Sequence, residues 1–298
     1  MLSSRVPASE KRAAWRRSWR SGSIQLFPGA FNPLSARLVQ DKAFDGVYIS
    51  GAALSADLGL PDIGLTTATE VARRTQEIAG AVDLPVLVDA DTGFGEPMSA
   101  ARTTQALEAA GAAGLQIEDQ VNPKRCGHLD GKAIVDVDVA ARRVRACVDA
   151  RTDPNFAVVA RTDARGLESL DSAVARALAY IDAGADMIFP EALTTLDEYA
   201  TFRRAVDVPI VANMTEFGKT PLFSRRELED VGVDVVLYPV SLFRLAMGAV
   251  EDGLDVLRGE GSLASRVGLM QTRARLYELL DYESYGTFDA GIYNFGSD

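Results

Sequence analysis

The stretch VLVDAD sets Asp89 and Asp91 two residues apart at the end of an apolar run, so both carboxylates leave a strand on the same side. Glu118 ends the next such run, GLQIED, just ahead of Asp119. Carboxylates in this arrangement suit a hard divalent cation. Mg2+ keeps several waters and takes one or two protein carboxylates, which leaves positions for substrate oxygens. The following stretch, NPKRCGH, holds the only histidine, His128, and one of two cysteines, Cys126. Lys124 and Arg125 stand beside that cysteine, and neighbouring cations favour thiolate over thiol. Such a thiol can serve as nucleophile or as proton donor near neutral pH. For His128 a structural role and a proton-relay role both stand. A Cys/His zinc centre fails on ligand supply, since it needs about four ligands. Cys147, spaced with Val144 and Val148 on one helical face, reads as inert core.

These groups need a frame. From residue 24 onward, short apolar runs alternate with helical patterns: 24–27, 46–50, 85–91, 114–119, 156–163, 186–192, 208–215 and 234–240. Near-continuous apolar runs are how strands buried on both faces read. Eight strand–helix units without a linker predict one α/β domain, a (β/α)8 TIM barrel over 24–298, with a doubly wound sheet as the alternative. In such a barrel the site lies at the C-terminal ends of the strands. Polar residues gather there: Tyr48 and Ser50, Asp89 and Asp91, Glu118 and Asp119, Arg161 and Asp163, Glu191, then Asn213 and Thr215. Helix capping accounts for one or two of these, not for six successive strand ends.

The rest of the chain sets bounds. Its 298 residues, 47% hydrophobic, can bury a large core. A net charge of −11 argues against binding to nucleic acid or to a membrane surface, and no apolar run approaches the roughly 20 residues of a membrane span. An anionic substrate therefore needs a local cationic pocket or a metal ion. Two cysteines are too few for a disulfide framework, so a reducing cytoplasm is expected. Residues 1–23, rich in Arg and Ser, have the composition of a transit peptide. An N-terminal amphipathic helix packing Ala13, Ala14 and Trp15 or Trp19 is the favoured reading. After the eighth run, two long helices follow, one expected to pack on a neighbouring subunit.

The segments DADTGFG, IEDQVNPKRCGH, ARTDA, FPEA, ANMTEFG and MQTR together resemble the 2-methylisocitrate lyase branch of the isocitrate lyase/phosphoenolpyruvate mutase superfamily, from about residue 24 to about 283. KRCGH is the most specific element, since the mutase, phosphonate hydrolase and oxaloacetate-cleaving branches lack it. The resemblance implies a barrel whose last helix is exchanged between subunits, a homotetramer, and Mg2+-dependent cleavage of a tricarboxylate, 2-methylisocitrate, to pyruvate and succinate in propionate disposal. Mn2+ is a substitute metal. A sister lyase acting on isocitrate or another substituted malate is the alternative, and a non-catalytic barrel a second.

By the same resemblance, Asp89 and Asp91 hold the metal directly or through water, with Glu118 in its outer sphere. Cys126 is the acid that protonates the succinate carbanion, aided by Lys124 and His128 of its loop. Tyr48 is a candidate for the base or for orienting it. Arg161, Arg244 and Arg273 fall at carboxylate-binding positions, as does Lys124. Ser50, Gly51 and Ala52 match a backbone-binding turn, Gly127 a loop contact, and Glu191, Asn213 and Thr215 a polar wall. Ala52 and Ala53 stand where the family favours glycine, so crowding or shifted dihedrals are expected there.

Overall fold

The computed structural model describes residues 4–19, 21–125, 127 and 131–293. Cys126 and His128 lie outside the described residues. Among those described, eight parallel strands run in chain order: β1 Gln25–Pro28, β2 Val47–Ile49, β3 Val86–Asp89, β4 Gly114–Glu118, β5 Ala157–Thr162, β6 Met187–Pro190, β7 Val211–Asn213 and β8 Val235–Tyr238. Strands β2 to β6 pair side by side, and β7, β8 and β1 form a second run. Bridges Gly29–Tyr48 and Ile188–Ile210 join the two runs into a closed barrel. Closure excludes the doubly wound alternative.

Alternation along each strand sorts its residues between two cores. Val86, Val88, Leu115, Ile117, Val158 and Ala160 face outward onto the helices. Phe27, Leu87, Val159, Met187, Val211 and Val235 fill the interior. Higher in the barrel the inward positions turn polar. Register places Asp89 beside Gln116 and Glu118 beside Arg161. The same alternation sends Asp119 outward. There it accepts hydrogen bonds from Thr162 Oγ1 at 2.7 Å and Tyr180 OH at 2.8 Å, between the strands and the helices rather than in the mouth.

The base of the barrel is closed by α1, Ala8–Ser18. Trp15 plugs the interior and donates to Gln25 Oε1 at 3.1 Å. Lys11 donates to the carbonyls of Ala79 and Val82, where α4, Ala68–Ala79, ends. Arg12 donates to the carbonyls of Glu108 and Ala112, where α5, Pro97–Ala109, ends. Cations at helix C-termini satisfy orphan carbonyls and oppose the helix dipole. The face that packs is therefore Lys11, Arg12 and Trp15, with Ala14 left exposed, and Lys11 and Arg12 serve a structural role.

Beyond β8, helix α10, Ser241–Glu260, has no buried residue and leaves Leu245, Met247, Val250, Leu254 and Leu257 exposed. Helix α11, Arg273–Leu279, returns to α2, Pro33–Asp41. Arg37 there donates to the Leu279 carbonyl at 3.0 Å, and Arg275 pairs with Asp41. Among the described residues, no helix is long and apolar enough to cross a membrane.

Candidate active site

At the mouth of the barrel, Asp89 and Asp91 are both buried. Asp89 accepts from the Asp91 backbone N–H on one oxygen and from the Gly51 N–H on the other, each at 3.1 Å. Gly51 opens α3, Gly51–Asp57, with Ser50 as its N-cap. A Cβ at Gly51 would meet Asp89 Oδ2 at 3.1 Å and Asp91 Oδ1 at 3.2 Å, so a side chain here would press on the acid pair. Ala52 and Ala53 lie within the helix, and neither carries a positive φ. Their backbone is undisturbed, and the Ala52 side chain lines the pocket.

The Lys124 ammonium lies 2.7 Å from Asp91 Oδ1 and also pairs with Asp62, a rim residue that the sequence pattern did not single out. Burial alone would lower the pKa of this lysine, but Asp91, Asp89, Glu118 and Asp62 together raise it well above the usual range. Burial pushes Asp91 up to about 6, with Lys124 opposing and Asp89 adding to the rise. Burial, first among the causes, also raises Glu118 well above the usual carboxylate range.

Arg161 is enclosed by carboxylates. Its guanidinium reaches Asp163 Oδ2 at 3.0 Å, Glu191 Oε2 at 3.1 Å and Glu118 Oε2 at 3.4 Å. Placed in the pocket as expected, it shares its donors with the wall instead of presenting a vacant fork to substrate. Glu191 also accepts from Asn213 Nδ2, which fixes the β6–β7 edge. Thr215 accepts from Arg244 NH1 at 3.3 Å, and Arg244 pairs with Glu216 at 3.0 Å at the rim. Tyr48 donates to Gln116 Oε1 at 2.8 Å deep in the mouth. Burial, then the Asp89 carboxylate, raise its phenol well above the ordinary value, so it is held protonated. Gly127 packs directly on the wall: a Cβ there would sit 2.3 Å from Arg161 NH2 and 2.8 Å from Glu191.

Arg273 does not join this cluster. It is exposed at the first position of α11 and does not line the pocket of its own chain, because α10 carries that segment away from the barrel. Cys147 is buried on α6, Val137–Ala150, and burial pushes its thiol up to about 11, as fits inert core. Asp62, Gln116 and Lys132 also belong to the site. Asp62 sits in a loop and Lys132 beyond the cysteine motif, where no periodicity marks them. Gln116 could have been found by counting two residues back from Glu118 on its strand.

The donor set is oxygen only. Glu118 Oε1 is buried without a hydrogen-bond partner, and Asp91 Oδ1 has an ammonium neighbour but no hydrogen bond. Among the described residues, no three acidic, His or Cys side chains converge as a complete ligand set. Those two facts fit a hard cation held by one or two carboxylates and its own waters, and not a fully protein-caged ion.

The profile of the family described as phosphoenolpyruvate phosphomutase matches residues 17–257. The chain is 56% identical over 298 residues to the probable 2-methylisocitrate lyase 2 of Corynebacterium glutamicum, covering all of this chain and 97% of that one. To the 2-methylisocitrate lyase of Escherichia coli strain K12 it is 49% identical over 259 residues, 86% of this chain and 88% of the other. A crystal structure of 2,3-dimethylmalate lyase, a member of the phosphoenolpyruvate mutase/isocitrate lyase superfamily, superposes with a TM-score of 0.88 at 32% identity over 96% of each chain. With a closed parallel barrel, an acidic mouth and this degree of identity along its whole length, the chain is an enzyme of the phosphoenolpyruvate mutase/isocitrate lyase superfamily and belongs with its 2-methylisocitrate lyases.

Proposed function

We propose that this enzyme cleaves 2-methylisocitrate to pyruvate and succinate with Mg2+ bound at the barrel mouth. The observation that carries the reading is the facing of Asp89 and Glu118 against Lys124 and Arg161 inside one pocket, with Asp91 paired to the Lys124 ammonium beside them. Carboxylates outnumber cations among its buried groups, so a trianion needs a further positive charge in order to bind there. Asp89 and Asp91 would hold Mg2+ directly or through water, with Glu118 beyond, and the bound ion would supply that charge and Lewis acidity toward the substrate hydroxyl and its neighbouring carboxylate.

The chain's own residues supply the rest. Ser50, Gly51 and Ala52 offer backbone at the mouth, and Arg161, Glu191, Asn213, Thr215 and Arg244 form the wall against which the succinate half lies. Once a general base takes the hydroxyl proton, the oxygen's electron pair closes the pyruvate carbonyl and the C–C bond breaks, leaving its pair on the carbon beside a succinate carboxylate. A proton from the Cys126 thiol completes that product, with Lys124 and His128 of the same loop favouring proton release and return. Tyr48, held protonated against Gln116, orients the oxygen side of the site; its phenol is poorly suited to be the base.

The unpartnered apolar face of α10 supports exchange of the C-terminal helices between subunits of a homotetramer. Exchange would bring Arg273 to a partner's site. Residues 24–298 then form the barrel domain with its exchanged helices, and residues 1–23 the segment closing its base. A cytoplasmic location agrees with the low cysteine content. Cleavage of a 2,3-disubstituted malate is the second reading, favoured by the likeness to 2,3-dimethylmalate lyase. Turnover of purified protein and Mg2+ with 2-methylisocitrate, isocitrate and 2,3-dimethylmalate, compared as kcat/KM, separates the readings.

A further inference from the structure

We infer that Lys132 is a positioning residue that ties the loop bearing Lys124 and Gly127 to the Arg161 wall of the pocket. Its side chain is only 3% exposed, although it belongs to a loop. The ammonium donates to the Gly127 carbonyl and, at 2.6 Å, to Asp163 Oδ1. Asp163 in turn accepts from Arg161 Nε at 3.0 Å and NH2 at 3.2 Å. Arg161 NH2 lies against Gly127, where no Cβ could fit. The four residues therefore form a closed circuit: Gly127 on Arg161, Arg161 to Asp163, Asp163 to Lys132, and Lys132 back to Gly127.

One further contact fixes the circuit in place. Asp119, buried behind the strand, accepts from the Asp163 backbone N–H at 2.9 Å and so holds Asp163 from the far side. Removing Lys132 would leave the Asp163 carboxylate with one cationic partner in place of two, and the Gly127 carbonyl without this donor. Charge-assisted hydrogen bonds of this kind are the strong ones. Asp89 and Asp91 lie outside the circuit, so Mg2+ affinity should not fall without it; release of Lys124 from Asp91 can only raise it. The assignment rests on the lyase reading for its meaning in catalysis, but its physical content, coupling of the loop to the wall, does not.

The test uses the full chain carrying Lys132→Met, Lys132→Gln and Lys132→Arg. Limited trypsin cleavage after Lys124, a buried residue, reports opening of the loop, since proteolysis tracks the population of the open form. Mg2+ titration without substrate reports the carboxylate pair independently. Lys132→Met is expected to speed cleavage after Lys124 by roughly tenfold, the worth of one charged hydrogen bond. It should lower kcat by a similar factor without weakening Mg2+ binding. Lys132→Arg, which keeps charge and donor, should restore much of both. An unchanged cleavage rate in Lys132→Met overturns the inference. So does faster cleavage with a parallel loss of Mg2+ affinity, the pattern of general loosening. Lys132→Gln carries the same test if the Met variant does not fold. Failure of the lyase reading alone would show as no turnover in the wild type, with the cleavage and Mg2+ results intact.

Discussion

The Lys124 ammonium stands 2.7 Å from Asp91 Oδ1, so a carboxylate assigned to the metal already faces a cation supplied by the chain. Mg2+ and Lys124 therefore compete for the charge of Asp91. Lys124→Met should tighten Mg2+ binding by at least roughly tenfold, through loss of a nearby like charge, while cutting turnover. Asp91→Asn should weaken Mg2+ binding. Calorimetric titration of both variants checks this pair of opposite shifts.

The same carboxyl predicts a pH dependence. Asp91 is pushed up to about 6 by burial, so a proton occupies it below that pH and must leave before a cation binds. Affinity for Mg2+ should be flat above about pH 7 and fall as pH drops through 6. Between about pH 7.5 and about pH 5 the dissociation constant should rise roughly tenfold, since metal binding competes with protonation. A flat profile over this window would remove Asp91 as a ligand.

Gly127 lies where a methyl group would meet Arg161 NH2 at 2.3 Å and Glu191 at 2.8 Å. Gly127→Ala should displace the loop from the wall at a strain of about 1–3 kcal/mol, and lower kcat by tenfold or more with little change in melting temperature. Steady-state kinetics beside thermal melts distinguish this from unfolding.

Tyr48→Phe removes the donor to Gln116 Oε1 and leaves that buried acceptor unpaired. The cost is about 1–3 kcal/mol in stability, read from denaturant unfolding. If Tyr48 orients substrate and is not the base, the variant should lose turnover without losing the basic limb of the pH–rate profile.

The two cysteines should part company. Cys147 is buried and unreactive, so Cys147→Ala should cost about 1–2 kcal/mol of stability and leave turnover near that of the wild type. Cys126→Ser should abolish most turnover while Mg2+ and pyruvate still bind. An essential Cys147 would reverse the assignment.

All eight strands and the inward carboxylates were legible because strand burial and a two-residue period write themselves into local sequence. Asp89, Glu118 and Arg161 followed from that period alone. Asp119 shows its limit: adjacent residues alternate sides, so Glu118 enters the mouth while Asp119 turns to Tyr180 and Thr162. Lys11 and Arg12 were not legible as buried groups, since only the fold brings the ends of α4 and α5 over them. Asp62 and Lys132 lie in loops, where position depends on long-range pairing and not on pattern. Arg273 carried a family signature, yet its own chain holds it outside the pocket.

The central claim concerns the substrate, and a direct comparison tests it. Purified enzyme with Mg2+ should show a kcat/KM for 2-methylisocitrate at least tenfold above those for isocitrate and 2,3-dimethylmalate, the discrimination roughly expected of one well-placed methyl group, with pyruvate and succinate as products in equal amounts. A clear preference for isocitrate or 2,3-dimethylmalate, or no cleavage of 2-methylisocitrate, would contradict it.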